Sequence, residues 1–211
     1  ELCNVVETIV SSEIPIGLIH VDSFPAGDTY EEKRAKIASL LSAIFSLASI
    51  YQGRSLKVAS ISPYVDLTLG ISSYYNRRVL QLITDLRRSA IKPTFTTVHS
   101  MLGDEADAVI SVLGKEWIRE DEYDPYLTIY FNEPELLNVQ LSRHKGILII
   151  IGDIKRLKHT ASRESKRLGL KLKHSKVKSR ARIERIKKIH TLCKELEDLV
   201  QHEEAPYTKI K

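Results

Sequence analysis

Cysteine is scarce in this 211-residue chain, which has two, Cys3 and Cys193. They lie far apart with no CxxC or Cys/His spacing, which argues against a disulfide framework or a structural zinc site. A reducing, intracellular setting, cytoplasmic or nuclear, is the expectation. Long apolar runs are missing too. No stretch approaches the roughly 20 residues that span a bilayer, and the opening residues lack the order of a signal peptide. A soluble protein with no membrane partner is therefore expected. The G-x-S-x-G elbow, the G-x-x-x-x-G-K-[ST] phosphate loop and any metal-ligand cluster are absent, which leaves an independent hydrolase or nuclease with little support. The chain opens on Glu1 and not on methionine, so a fragment or processed product lacking its upstream residues is expected.

What is present suits one globular α/β domain with an appendage: 43% of residues are hydrophobic and 28% charged. The formal charge of +5 is unevenly placed. Residues 155–190 hold fifteen Lys/Arg against two acidic residues, a local +13 that leaves −8 for the remainder. Positive charge is thus a property of one segment.

Apolar and β-branched runs predict strands at 16–22, 56–61, 94–98, 108–113 and 146–152. Helical spacing predicts helices over 30–50, where Ala35, Ala38, Leu41, Phe45 and Ala48 recur, and over 79–86. Strands apolar throughout, such as GILIIIG at 146–152, imply a parallel sheet covered on both faces by crossover helices. The α/β domain is expected to span residues 1–159. Residues 160–211 form a basic, largely helical extension, in which Ile183, Ile186, Ile189, Leu192, Cys193, Leu196 and Leu199 mark one long amphipathic helix.

Ligands of open α/β sheets bind beyond the carboxyl ends of the strands. Three segments are expected at or beside such ends: Ile61 to Tyr64 (ISPY), Thr97 to Asp107 (TVHSMLGDEAD) and Leu137 to Gly146 (LNVQLSRHKG). In order and spacing, VASISPY, TVHSMLGDEAD and LLNVQLSRHKGILIIIGD resemble motifs IV, V and VI of superfamily 1 helicases of the nonsense-mediated-decay and nidovirus type. The opening IHVDS resembles the segment that begins the second motor domain in that family. The resemblance covers about residues 16–159, and four blocks in the right order are more specific than any one of them.

The resemblance implies a RecA-like P-loop NTPase fold, with a mostly parallel sheet, helices on both faces and a C-terminal basic helix added. It implies the second motor domain of an ATP-dependent helicase or translocase that acts on single-stranded DNA or RNA and moves 5′ to 3′. ATP with Mg²⁺ would be bound mainly by the N-terminal RecA-like domain of the same protein, so this chain alone is expected to be inactive. Arg143 stands at the arginine-finger position, where a permanently charged, forked guanidinium neutralises charge developing on the transferred phosphoryl group. Gly103 and Glu105, with Lys145, fall on the nucleotide side. Ser62, Tyr64, Thr97 and His99 fall where the family meets the nucleic-acid backbone.

The cationic run 166–182, with Lys171, Lys173, Lys176, Lys178, Arg180 and Arg182, offers further phosphate contacts without sequence preference. It holds no aromatic residue, so base stacking is not its mode. No metal ligand is assigned. Asp104 to Asp107 spell Asp-Glu-Ala-Asp, but here the apolar strand follows that string and does not lead into it, unlike the magnesium-binding motif it imitates.

Three positions depart from the family pattern. His99 replaces the aspartate of motif V, Leu102 its glutamine, and Leu136 the first arginine of motif VI. These changes remove strand-contacting and coupling groups while leaving Gly103, Glu105 and Arg143. A non-catalytic nucleic-acid-binding or partner-docking module that keeps the fold is the alternative.

Overall fold

The structure, a computed structural model, describes residues 2–11, 16–21, 29–51, 56–82, 93–113, 130, 133–171, 178–201 and 207–210. In chain order these form α1 (Leu2–Ser11), β1 (Ile16–Val21), α2 (Thr29–Tyr51), β2 (Val58–Ser62) and α3 (Val65–Tyr74). Helix α3 continues through a π turn (Tyr75–Val79) into α4 (Leu80–Leu82). Then come β3 (Thr94–Thr97), a 3-10 turn (His99–Met101), β4 (Ala106–Val112), α5 (Pro134–Ser142) and β5 (His144–Gly152). The chain ends with α6 (Ile154–Lys171), α7 (Lys178–Gln201) and β6 (Tyr207–Ile210).

The six strands form one sheet in the order β3-β2-β4-β5-β1-β6, with every pairing parallel. The fold is therefore α/β with an all-parallel sheet. Alternate residues of one strand serve opposite layers: Ile149 and Ile151 pack with α1, α2 and α3, while Leu148 and Ile150 pack with α5, α6 and α7. Because both faces are covered, β5 is apolar at every position from Ile147 to Ile151.

Helix α2 packs on the sheet through Ala35, Ile37, Ala38, Leu41 and Phe45, with buried serines among them. Their hydroxyls are satisfied within the helix: Ser39, Ser42 and Ser46 donate to the carbonyls of Ala35, Ala38 and Ser42. The predicted helix over 30–50 is thus α2. The helix expected at 79–86 starts earlier, at Val65, and residues 83–86 lie outside the described ones.

Helix α6 runs unbroken through residues 159 and 160. Ala161 of α6 and Ile186, Ile189 and Cys193 of α7 are buried in the same cluster as Val109, Leu148 and Ile150 of the strands, and β6 pairs with β1. The C-terminal residues so described share the core of the sheet. Burial, with Glu197 nearby, pushes the Cys193 thiol up to about 12, which leaves it an inert core residue. Among the described residues no helix is long and apolar enough to cross a membrane.

Candidate functional site

The amino ends of β4 and β5 gather the residues expected on the nucleotide side. Gly103 takes φ +85, a left-handed conformation that glycine enters at no steric cost, and the turn it makes delivers Asp104 and Glu105, both exposed, to the start of β4. Ala106 pairs in register with His144. The Ala106 N–H donates to the Arg143 carbonyl at 3.0 Å, so Glu105 and Arg143 stand on neighbouring strand ends. Arg143 is the residue that closes α5, at φ −86 and ψ 1. Its guanidinium is half-buried and donates to Ser142 Oγ at 3.3 Å. Its Nε is buried with no hydrogen-bond partner.

Around it the charges are loosely matched. Lys145 lies 3.9 Å from Glu105, both more than half exposed, and Lys57 lies 3.7 Å from Asp104. Exposed pairs of this kind contribute about 0–1 kcal/mol. Asp107 is bound differently: its carboxylate accepts the Lys57 N–H at 2.7 Å, fixing the start of β2 to that of β4. Arg143 has no carboxylate partner among the described residues. His144, the next residue, has its Nδ1 buried without a partner, and burial pulls its pKa below the usual imidazole value. A guanidinium with no carboxylate partner among the described residues, next in sequence but one to the exposed Lys145, is chemically suited to an anion.

The residues expected on the nucleic-acid side lie elsewhere, at the carboxyl ends of β2 and β3, where Ser62 and Thr97 are register partners. Ser62 is fully buried, donates to the Tyr64 carbonyl at 3.1 Å and shares a 2.6 Å hydrogen bond with Thr68. Its hydroxyl braces the start of α3 and is turned away from any surface, which corrects its assignment as a contact residue. Tyr64 is half-buried against the core. Thr97 Oγ1 accepts the Ser100 N–H at 3.3 Å and shares a hydrogen bond with Ser100 Oγ at 3.0 Å. His99 is exposed on the 3-10 turn.

The expectation that all three motif segments flank carboxyl ends is therefore corrected. ISPY does, but Glu105, Arg143 and Lys145 occupy the amino edge. The reason is topological: the segment 137–146 leads into β5, and Thr97 to Asp107 runs from the end of β3 back to the beginning of β4.

The basic run divides as well. Arg180 is exposed. Arg182 is half-buried, with its guanidinium 4.0 Å from the buried Glu164, an ion pair that links α7 to α6. Lys171 and Lys178 end α6 and begin α7, while Lys173 and Lys176 lie outside the described residues.

Sequence reasoning missed the buried polar groups of the carboxyl edge. Gln140 donates to the carbonyls of Val112 at 2.8 Å and Ile61 at 3.4 Å and accepts from the Tyr130 hydroxyl at 2.9 Å. Arg34, fully buried, donates to the Leu113 carbonyl at 2.6 Å. His20 and Asp153, both buried, lie 3.8 Å apart, and Asp153 accepts the Arg156 N–H at 2.8 Å to cap α6. Gln140 had a visible signal, since it falls on the same helical face as Leu136 and Leu137, where a polar residue calls for buried partners. Also unforeseen is a groove of ≈ 800 Å³ between α2 and the α3–π–α4 segment, lined in part by Glu32, Lys36, Asp66, Tyr74, Arg77 and Arg78. No protein-family model matches the chain, and no curated protein is similar to it at a significant level.

Proposed function

We propose that this chain is the second RecA-like half of an ATP-dependent superfamily 1 helicase or translocase, supplying the arginine finger and part of the strand-binding surface. One observation carries the reading: Arg143 is a cation with no carboxylate partner among the described residues, and it stands at the β4/β5 edge next to Glu105. A guanidinium is a permanent charge with forked donors, and a phosphate oxygen docked at this edge would give its outer N–H groups a charged acceptor. In this reading ATP, when bound, supplies the phosphoryl group that is transferred. Arg143 then faces the developing negative charge, Lys145 adds a second cation, and Glu105 orients polar groups at the same edge. As the resemblance implies, the Mg²⁺ carboxylates are assigned to the first half.

The strand surface is assigned to the opposite edge, to Tyr64, Thr97 and His99, so nucleotide and nucleic acid would meet different edges of one sheet. The test is ATP turnover, with nucleic acid present, in the longer polypeptide that joins this chain to a first RecA-like half. Arg143→Ala is expected to lower turnover by about 10³-fold or more, as for other arginine fingers, while nucleotide affinity changes little. Undiminished turnover in that variant would remove the finger assignment.

A second reading, a non-catalytic binding or docking module, is favoured by Leu136. It is buried in the core at the position where the resemblance expects an arginine that touches nucleic acid. Strand binding with no nucleic-acid-stimulated hydrolysis in the longer polypeptide would select it.

A further inference from the structure

We infer that the outer surface of the α6/α7 hairpin is a second nucleic-acid-binding surface, one that grips the phosphate backbone without ATP. The inference does not depend on the motor reading, because it rests on how the hairpin is oriented. The apolar stripe of α7 is turned inward: Ile186, Ile189 and Cys193 are buried with Ile154, Leu157 and Ala161 of α6 in the core of the sheet, and Ile183 is buried as well. Lys158 with Glu197, and Arg182 with Glu164, join the two helices. Most of the remaining charges on the pair are thereby turned to solvent.

Among the described residues the exposed charged positions are Lys155 and Lys166 on α6 and Arg180, Arg185, Lys187, Lys188 and Lys194 on α7, against Glu184 and Glu195. Of these cations Lys187 alone makes an ion pair with a described residue, 2.9 Å to Glu184. Unpaired cations on a rigid helix cost self-repulsion that a polyanion would relieve. Arg180, Lys187 and Lys194 recur every seven residues, which at 1.5 Å per residue spaces them about 10 Å apart along one flank.

The chemistry of the surface selects the polyanion. A helix that binds an anionic membrane inserts an apolar face, but here Ile183, Ile186, Ile189 and Cys193 are buried, and among the described residues the large exposed apolar ones, Val65, Leu69 and Leu102, are elsewhere. Residues 154–201 contain no Tyr, Phe or Trp, so contact would be to phosphates and not by base stacking. Binding should then be indifferent to sequence and steeply dependent on salt.

The experiment measures fluorescence anisotropy of labelled oligo-dT and of a mixed-sequence duplex with this chain, without nucleotide, across a salt series. The triple variant Lys155→Ala/Arg185→Ala/Lys188→Ala should weaken binding and lower the slope of log K against log salt by about 2, at roughly 0.7–0.9 for each phosphate that is no longer neutralised. The control Arg77→Ala/Arg78→Ala removes two exposed cations from the α2/α3 side and should leave the slope unchanged. Circular dichroism melts establish that both variants remain folded. The inference is overturned by an unchanged slope in the triple variant, by an equal loss in the control, by no binding of the wild-type chain, or by equally tight binding to anionic vesicles.

Discussion

The two edges of the sheet treat their polar groups in opposite ways. At the carboxyl edge Gln140, Arg34, Ser62 and Asp153 are buried and tied to main-chain carbonyls or N–H groups, with His99 exposed beyond them. At the amino edge of β4 and β5 only Asp107 is held by the main chain, while Lys57 with Asp104 and Lys145 with Glu105 form long, exposed pairs and Arg143 keeps an unused donor, among the described residues. The contrast bears on where a ligand fits. Open α/β sheets usually bind at the carboxyl edge, where adjacent strands send their chains to opposite sides. Two such points lie here, one between β5, which leaves through α6, and β1, whose next described helix is α2, and one between β2, which leaves through α3, and β4, whose next described helix on the sheet is α5. At the second, the side chain of Gln140 already bridges the two strand ends.

If Gln140 closes the crevice, removing it should be the most damaging of the changes at either edge. Gln140→Ala leaves the carbonyls of Ile61 and Val112 and the Tyr130 hydroxyl without these hydrogen bonds. Each stranded buried group costs roughly 1–3 kcal/mol, so a loss of about 3 kcal/mol is expected. For a chain of this size that lowers Tm by about 6–12 °C. A thermal melt reads it directly, and a shift within a degree or two would mean that the crevice is open and the contrast between the edges false.

The two left-handed glycines test the same contrast at lower cost, one on each edge. Gly152 ends β5 at φ +157, and a Cβ placed there would sit 2.7 Å from Leu113 Cβ. Neither side can yield easily, so Gly152→Ala should cost about 2 kcal/mol. Gly103 has φ +85 but open space for a Cβ, so Gly103→Ala should cost only about 1 kcal/mol of backbone strain. Equal losses in urea titrations of the two variants would mean that the carboxyl edge is no more tightly packed than the amino edge.

Much of this architecture could be read from residue order. All five predicted strands appear within a few residues of their expected bounds, because apolar, β-branched runs in a sheet buried on both faces leave a signal in any window. Helix α7 was equally visible through its isoleucine stripe. Helix α3 was not: Val65 to Tyr74 contains Gly70 and Ser72-Ser73 and leaves Val65 and Leu69 exposed, so no apolar stripe marks it. Strand β6 is four residues long and borrows its place from pairing with β1, a tertiary cause with no local trace. At the candidate site, the nearness of Glu105 and Arg143 followed from the motif order. The edge on which they stand did not, since a motif between two strands can belong to the end of one or the start of the next. The pairing of Arg182 with a glutamate eighteen positions earlier, across a helical hairpin, is a tertiary contact that composition cannot disclose.

The smallest expected effect concerns His144 and asks whether the amino edge is dry enough to feel its own burial. Burial disfavours the imidazolium and lowers the folded-state pKa below 6.5. Above the unfolded value both states are neutral and the contribution to stability is complete. As pH falls below 6.5 the unfolded chain takes up the proton first, and that contribution is lost on the way down to the depressed folded value. His144→Gln should therefore show a flatter fall in Tm than the wild type on acidification, and the difference between the two curves removes the other histidines from the comparison. An anion held at Arg143 would favour the charged imidazole next to it, so added pyrophosphate should shrink that difference. Parallel curves without pyrophosphate would mean that water reaches His144 as freely as it reaches Lys145, and that the edge has no enclosed corner in which an anion could be held.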